Sequence, residues 1–267
     1  MSGTVDLRDK VVLITGASRG IGAAVARAAA AKRARVALIA RTQSDLSTVL
    51  AELGGRGAFA AADVADPDAL KGAIAALESG LGPIDVLVAN AGIGAYGAFV
   101  DIEDDELERL VRVNVLGTMY AIRAVLPGMI ERRRGHIVTI GSIAGRIGSA
   151  FEAVYSATKF AGVGLTEALA VEVAPYGIRT SIVNPGPVAT SFGDARGHPY
   201  DRDRPKPVPA EDVARAVLDV IENGRSEVYV PKWFRPAVVT RHLVPPMFRW
   251  GSARSFRDEL ADDAQKR

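Results

Sequence analysis

The stretch Val11–Gly22, VVLITGASRGIG, joins a short apolar run to three closely spaced glycines, Gly16, Gly20 and Gly22. A nearly continuous run of β-branched and aliphatic residues is typical of a strand that is buried on both faces. The alanine-rich pattern that follows predicts a helix, whose first turn offers free N–H groups and a positive dipole end. Glycines would let a diphosphate approach this backbone closely. A tight turn without ligand is the alternative for this motif alone, because its spacing differs from the common G-x-G-x-x-G fingerprint.

Composition restricts the remaining possibilities. The chain has 267 residues, of which 48% are hydrophobic and 24% charged, and this profile suits a soluble domain with a full core. A formal net charge of only +2 gives no general attraction to nucleic acid, so no nucleic-acid partner is expected. The absence of cysteine excludes disulfides and thiolate chemistry. Because His136, His198 and His242 have no ligand spacing among themselves, no metal site is predicted.

The same reading gives an expected location. The first ten residues, MSGTVDLRDK, do not have the pattern of a signal peptide. No uninterrupted apolar run approaches the roughly 18 residues that a membrane span needs. We therefore expect a cytoplasmic protein.

Short apolar runs alternate with helical patterns along the whole chain. Six strand-then-helix units and a closing strand, EVYVP, predict an α/β fold with a Rossmann-like, doubly wound sheet. About seven parallel strands would carry helices on both faces, and ligands would bind at the strands' carboxyl ends. We interpret residues 1–267 as a single domain with a core at about 7–231. Pro187–Val208 is predicted to be a lid without useful helical period, and 232–267 forms a C-terminal tail, in which Pro245-Pro246 should interrupt any single helix.

Several further motifs follow the glycine motif in order. They are Thr15–Gly22 (T-G-x-x-x-G-x-G), Asp63-Val64 after the third strand, Asn90–Gly92 (NAG), Asn114 in a long helix, Ser142 at a strand end, Tyr155 and Lys159 in YSATK, and the segment NPGPVAT. With these motifs the chain resembles the short-chain dehydrogenases/reductases over Leu7–Pro231. One departure is Ala89, where the family often has Asn. We expect little effect, because the following Asn-Ala-Gly carries the turn.

The resemblance implies that the catalytic residues are Asn114, Ser142, Tyr155 and Lys159, which transfer a proton while hydride moves to or from nicotinamide. Tyr155 would be the general acid or base, Ser142 would hold the substrate oxygen, and Asn114 would hold a water linking Lys159 to solvent. Tyr155 and Lys159 are four residues apart and therefore share a helix face. Because a tyrosine pKa lies near 10, Lys159 must act in a sheltered site to lower it. Taken singly, Ser142 could be a turn cap and Asn114 a buried amide.

The resemblance also implies a nicotinamide dinucleotide cofactor. The residues expected to bind it are Gly16, Ser18, Arg19, Gly20, Ile21, Gly22, Arg41, Asp63, Val64, Asn90, Ala91, Gly92, Tyr155, Lys159, Pro185, Gly186, Val188 and Thr190. NADP is predicted, with NAD as the alternative. Arg41 stands at the end of the second strand, where NAD-binding proteins of this fold place a carboxylate, and Arg19 lies in the glycine loop. The first carboxylate after that strand is Asp45, inside the next helix pattern.

The substrate is predicted to be a lipophilic alcohol or carbonyl compound. The expected pocket residues are Ile93, Gly94, Tyr96, Ile147, Phe151 and Phe192. The polar loop at 193–206, with Arg196, Arg202, Arg204 and Lys206, could instead be a solvated lid or grip an anion.

Three questions stay open at this level. A nucleotide-binding regulator without turnover is the alternative function, whereas a sugar-nucleotide epimerase or dehydratase would need a larger C-terminal domain. The tail mixes large apolar and basic residues, and we expect it to pack on its own domain or on a second subunit, with peripheral membrane contact as the alternative. A homodimer is expected.

Overall fold

The apolar runs found in the sequence form the strands of one parallel sheet. The computed structural model describes residues 5–200 and 205–266, and within them the sheet has seven strands in the order β3-β2-β1-β4-β5-β6-β7. The strands are β1 (Val11–Thr15), β2 (Arg35–Ala40), β3 (Gly57–Ala61), β4 (Val86–Ala89), β5 (Gly135–Ile140), β6 (Ile178–Pro185) and β7 (Glu227–Val230). The predicted doubly wound α/β fold is confirmed.

The strand order reverses beside the first strand. β1 pairs with β2 on one side and β4 on the other, so that Leu13 lies between Ala37 and Leu87. All five residues of β1 are buried, as a continuous apolar run requires. Connections leave β1 and β4 toward opposite faces, which opens a crevice at their carboxyl ends.

Helices cover both faces of the sheet. Within the described residues they are α1 (Gly20–Ala31), α2 (Gln43–Ala51), α3 (Pro67–Leu81), α4 (Asp104–Val111), α5 (Gly117–Glu131), α6 (Ala153–Val173), α7 (Phe192–Ala195), α8 (Ala210–Asn223), α9 (Phe234–Leu243), α10 (Pro245–Ser255) and α11 (Arg257–Lys266). One buried cluster joins α1, α2 and α8 to the sheet, and a second joins α3, α5 and α6 to the other face. The core therefore has two layers, one on each face of the sheet.

One continuous helical stretch runs from Asp104 to Glu131. A turn of π-helix, Arg112–Leu116, links α4 to α5. Among the described residues, this stretch alone is long and apolar enough to cross a membrane by length and composition. Charged residues divide this stretch, so its sequence contains no uninterrupted apolar run of that length. In the fold it is a core helix, since α5 buries Val125 and Met129 against the sheet.

The predicted lid contains more structure than its sequence suggested. Its described parts include one helical turn, α7, and a bridge between Val188 and Val208. This single turn of four residues agrees with the absence of a useful helical period, and the role of the segment as a lid stays a prediction. Residues 201–204, including Arg202 and Arg204, lie outside the described residues.

The tail forms helices that pack on the fold. α9 ends at Leu243 and α10 begins at Pro245, so the proline pair interrupts the helix as expected. Phe234 and Val238 of α9 are buried.

Candidate active site

The glycines of the first loop are needed for two different reasons. Gly16 and Gly20 have φ of +65° and +54°, a region that residues with a Cβ rarely adopt. Gly22 lies inside α1, where a Cβ would stand only 2.3 Å from the carbonyl oxygen of Gly16. A Cβ on Gly20 would lie 3.2 Å from Cγ2 of Thr190, in the loop after β6. The turn therefore leaves the backbone at the start of α1 uncovered and close to two neighbouring loops.

Asn90 fastens this turn to the loop after β4. Its Nδ2 donates to the carbonyl oxygens of Thr15, at 2.9 Å, and Gly16, at 3.1 Å. Oγ1 of Thr15 accepts from the backbone nitrogens of Asn90 and Ala91, each at 3.1 Å. Ala89, the departure from the family pattern, is buried in β4 and takes no part in these bonds.

A cavity of about 790 Å³ opens at the carboxyl edge of the sheet. Every predicted cofactor residue except Gly22 lines it: Gly16, Ser18, Arg19, Gly20, Ile21, Arg41, Asp63, Val64, Asn90, Ala91, Gly92, Tyr155, Lys159, Pro185, Gly186, Val188 and Thr190. Gly22 instead lies behind the turn, where it allows α1 to approach Gly16. The cradle that side chains at the glycines would fill, at a helix N-terminus, fits a dinucleotide diphosphate.

Charged side chains of both signs lie where the adenine ribose is expected. Arg19 and Arg41 are exposed and line the cavity. Asp45, in the first turn of α2, lines it as well. From the sequence, Asp45 was not expected at the ribose, because it lies within a helix. The first turn of α2 follows β2 closely, however, and Asp45 lines the cavity together with Arg19 and Arg41.

Tyr155 and Ser142 form the polar centre of the cavity. Ser142 follows β5 and is buried, and its Oγ accepts a bond from the backbone nitrogen of Ala144 at 3.1 Å. The serine is therefore a turn cap and, in addition, a hydrogen-bond partner of the Tyr155 hydroxyl. Burial raises the pKa of Tyr155, and the bond to Ser142 only partly opposes this. In this cavity the pKa of Tyr155 is therefore raised, and not lowered as the sequence argument requires.

Lys159 lies one helical turn beyond Tyr155. Its Nζ donates to the carbonyl oxygen of Ile140 at 3.0 Å and lies 5.7 Å from the centre of the Tyr155 ring. A Cβ on Gly92 would be 3.5 Å from this nitrogen, so the lysine is held between β5 and the loop after β4. Burial lowers the pKa of Lys159 to about 8. The ammonium is sheltered, as the sequence argument requires.

Asn114 lies behind the cavity and does not line it. It sits in the π-helical turn, and such turns often occur at functional sites. Its amide exchanges two 2.8 Å bonds with the backbone of Ile93 and donates to Oγ1 of Thr158 at 3.0 Å. The Thr158 hydroxyl in turn donates to the carbonyl oxygen of Tyr155 at 2.7 Å. Asn114 is therefore bonded to backbone, as in the simpler reading, and its water-holding role stays a prediction.

The structure places five of the six predicted pocket residues on the cavity wall. These are Ile93, Gly94, Tyr96, Ile147 and Phe192. Phe151 is a correction, because it is not on that wall. Its φ is +60°, and its ring stacks on that of Tyr96 with centres 5.7 Å apart. Phe151 therefore supports the wall from behind.

The substrate side of the cavity contains a largely buried ion pair that no sequence motif indicates. Arg196 pairs with Glu152, and both side chains line the cavity. The Arg196 guanidinium also lies 5.1 Å from the centre of the Tyr96 ring, and that ring stacks on His198 with centres 4.0 Å apart. In the sequence, Arg196 is one of several cations in a polar loop. Glu152 comes directly before a helix and belongs to no recognisable motif.

The tail supplies another wall that the sequence did not indicate. The tail residues that line the cavity are Phe234, Ala237, Thr240, Met247, Phe248, Gly251, Ser252, Ser255 and Phe256. The Tyr96 hydroxyl donates to Glu259 of α11, and Arg241 of α9 donates to the carbonyl oxygen of Arg146. No strand-end motif marks these residues, so only their spatial position reveals them.

Comparison with known proteins agrees with this geometry. The family model of the short chain dehydrogenases matches residues 10–200. Ketoacyl reductase HetN from Nostoc sp. is 37% identical to the chain, with 97% of this chain and 95% of that protein aligned. A 3-oxoacyl-(acyl-carrier protein) reductase from Brucella melitensis, with bound NAD, is 36% identical with a TM-score of 0.74, covering 84% of this chain and 92% of that one. An alcohol dehydrogenase from the archaeon Thermococcus sibiricus, complexed with 5-hydroxy-NADP, is 27% identical with a TM-score of 0.75, covering 82% and 95%.

Proposed function

Because the chain belongs to the short-chain dehydrogenase family, we propose that it is an NADP(H)-dependent oxidoreductase that interconverts an alcohol and a carbonyl compound. The observation that carries the proposal is the joint placement of Tyr155, Ser142 and Lys159 in the cavity at the carboxyl edge of the sheet. A hydroxyl pair and a sheltered ammonium, beside a backbone cradle for a diphosphate, match the needs of hydride transfer coupled to proton transfer.

The proton chemistry belongs to Tyr155. In reduction its hydroxyl gives a proton to the carbonyl oxygen, and in oxidation its phenolate removes the proton of the alcohol. Ser142 holds the same oxygen, which its bond to the Tyr155 hydroxyl favours. The Lys159 ammonium stabilises the phenolate electrostatically and remains largely charged at neutral pH, because its pKa is about 8. When bound, a nicotinamide cofactor would supply or accept the hydride, and its oxidised form would carry a positive charge.

The cofactor would be held by the loops that end the strands. The diphosphate would lie on the backbone of the glycine turn, and Asp63 would meet the adenine end. Arg19 and Arg41 favour NADP, because a 2′-phosphate accepts charge-assisted bonds from them. Asp45 on the same wall weakens this preference through repulsion. Of the solved relatives, the Brucella reductase holds NAD and the Thermococcus enzyme holds an NADP derivative. The proposal of NADP for this chain therefore depends on Arg19 and Arg41.

The substrate would be largely lipophilic. The aromatic and aliphatic side chains of Ile93, Ile147 and Phe192, together with the tail residues Phe234 and Phe248, line the cavity. The Arg196–Glu152 pair adds one polar position near Tyr155, which suits a substrate with a second polar group close to the reacting carbon. The segment 187–208 would act as a lid over this substrate, and the active unit would be a homodimer.

A substrate panel separates this proposal from the alternative of a nucleotide-binding regulator. The purified protein is incubated with NADPH or NADH and a series of ketones and aldehydes, and with the oxidised cofactors and the matching alcohols. Turnover with any pair, monitored by the absorbance of the reduced cofactor, supports the oxidoreductase. Tight cofactor binding measured by calorimetry, without turnover across the panel, would favour the regulator.

A further inference from the structure

The tail carries an unusual distribution of charge. Residues 231–257 include six basic residues and no Asp or Glu, in a chain whose net charge is only +2. The basic residues are Lys232, Arg235, Arg241, Arg249, Arg254 and Arg257. Among the described residues, no ion pair involves Lys232, Arg235, Arg249 or Arg254. Within the described residues these four cations are therefore not neutralised by an ion pair, and the carboxylates of the tail, such as Glu259 and Asp263, lie further along, in α11.

Large apolar side chains are exposed among these cations. The exposed fractions are 56% for Trp233, 75% for Leu243, 44% for Val244, 53% for Met247 and 66% for Trp250. Together with Lys232, Arg235, Arg249 and Arg254, these five form what we call the tail surface. A soluble fold rarely leaves so many large apolar groups together unless the surface binds something.

The tail surface is held in a defined position by the opposite side of the same helices. Phe234 and Val238 of α9 are buried, and the Arg241 guanidinium lies 4.7 Å from the centre of the Phe160 ring in α6. Met247 lines the cavity and is also half exposed, so it lies at the rim. The tail surface is thus fixed beside an entrance to the substrate cavity.

We propose that the tail surface docks on an anionic lipid bilayer. Basic residues that surround Trp, Leu and Met form the arrangement in which apolar groups enter the interface while cations meet lipid phosphates. A second copy of the chain fits less well. A two-fold interface would place this same patch against itself, and four unpaired cations would then face four others.

Docking in this orientation would set the rim of the cavity against the bilayer. A lipophilic substrate could then enter from the membrane without crossing water. This consequence rests on the proposed function, but the docking itself does not, since it can be measured without substrate or cofactor.

Vesicle flotation tests the docking directly. The full-length protein is mixed with vesicles of phosphatidylcholine alone or of phosphatidylcholine with phosphatidylglycerol. We expect it to float with the anionic vesicles, and Arg249→Gln/Arg254→Gln to weaken binding by roughly 10-fold or more, since each basic residue near such a surface contributes about a 5-fold factor. Leu243→Asp/Trp250→Asp should weaken it by a similar amount. Val171→Asp is the matched control, because Val171 is 78% exposed at the far end of α6.

Tryptophan fluorescence supplies a second readout. The two tryptophans of the chain, Trp233 and Trp250, both lie in the tail surface. We expect their emission to shift to shorter wavelength with anionic vesicles only, and circular dichroism to show that each variant is folded. Binding that ignores lipid charge, or no binding by the folded wild-type protein, would overturn the proposal. So would a dimer in light scattering that Leu243→Asp/Trp250→Asp dissociates, because a second copy would then cover the surface.

Discussion

Arg196, next to α7, forms an ion pair with Glu152, the residue that precedes α6, and the two side chains act in opposite directions on the pKa of Tyr155. Their side chains are only 10% and 17% exposed, so solvent screens them weakly. Glu152 raises the pKa of Tyr155 and Arg196 lowers it, both as lesser causes than burial and the Ser142 bond. The pair therefore sets a local potential at the hydroxyl that exchanges the proton.

Removing one member of this pair should move the pH dependence of catalysis. Glu152→Gln should shift the apparent pKa of alcohol oxidation downward, and Arg196→Met should shift it upward, because each leaves the opposite charge unbalanced beside Tyr155. The measurement is kcat/KM for oxidation from pH 6 to 10. Glu172→Gln, at the exposed far end of α6, is the control and should leave the profile unchanged. Shifts of the same sign in both variants would contradict this account.

Tyr155→Phe should abolish most turnover while keeping the ring. The variant has no transferable proton, so kcat should fall by at least roughly 10²–10⁴-fold, the contribution usual for general acid–base catalysis. Cofactor affinity, measured by calorimetry, should change little. Near-normal turnover in a folded Tyr155→Phe protein would show that another group carries the proton.

Lys159→Met should stabilise the cofactor-free protein at neutral pH. Burial lowers the pKa of Lys159 from its usual 10.5 to about 8, so the folded state holds this proton less tightly than the unfolded chain does. The cost of the buried ammonium is full below pH 8 and disappears as pH rises toward 10.5, where both states are neutral. We expect the variant's free energy of unfolding to exceed that of the wild type by about 1–2 kcal/mol at pH 7, after the lost bond to Ile140 is counted.

Urea unfolding at pH 7 and pH 9.5 checks the sign of this effect. The difference between variant and wild type should narrow at the higher pH. A constant difference would mean that Lys159 does not titrate in this range and that packing alone explains the change.

Arg41→Asp should move cofactor preference toward NAD. An arginine bond to the 2′-phosphate contributes about 1.5–3 kcal/mol, so losing it and adding a repelling carboxylate should reduce the NADP/NAD ratio of kcat/KM by at least about 10-fold. Arg56→Asp makes the same charge change at an exposed position before β3, at the opposite edge of the sheet, and serves as the control. A wild type that prefers NAD, or a ratio that does not move, would show that Arg41 is not at the ribose.

Two helical glycines should respond to alanine in opposite ways. At Gly22 the new Cβ would overlap the Gly16 carbonyl, so Gly22→Ala should destabilise the fold by about 1–3 kcal/mol and weaken cofactor binding. At Gly72 in α3 no atom outside its own helix lies within 4 Å, so Gly72→Ala should stabilise by about 0.5–1 kcal/mol. Urea midpoints of the two variants give the comparison, and a stabilised Gly22→Ala protein would refute the close approach of α1 to the turn.

The sequence by itself determined the architecture and the sites at the strand ends. In a parallel sheet buried on both faces, each strand must be an apolar run, and each run must be followed by a loop at the carboxyl edge. Ser142 and Asn90 could therefore be located from local pattern alone. Tyr155 and Lys159 share a helix face for the same kind of local reason, the helical period.

Tertiary structure alone decided what faces these residues. The Arg196–Glu152 pair joins residues 44 positions apart, and the tail reaches the cavity from beyond β7, so no local period relates either of them to Tyr155. Desolvation is likewise a property of the assembled fold, and here it raises the pKa of Tyr155 although the pattern of residues suggested the opposite. Phe151 and Asn114 lie beside the cavity wall and not on it because backbone geometry in three dimensions, and not residue type, directs a side chain toward a site or behind it.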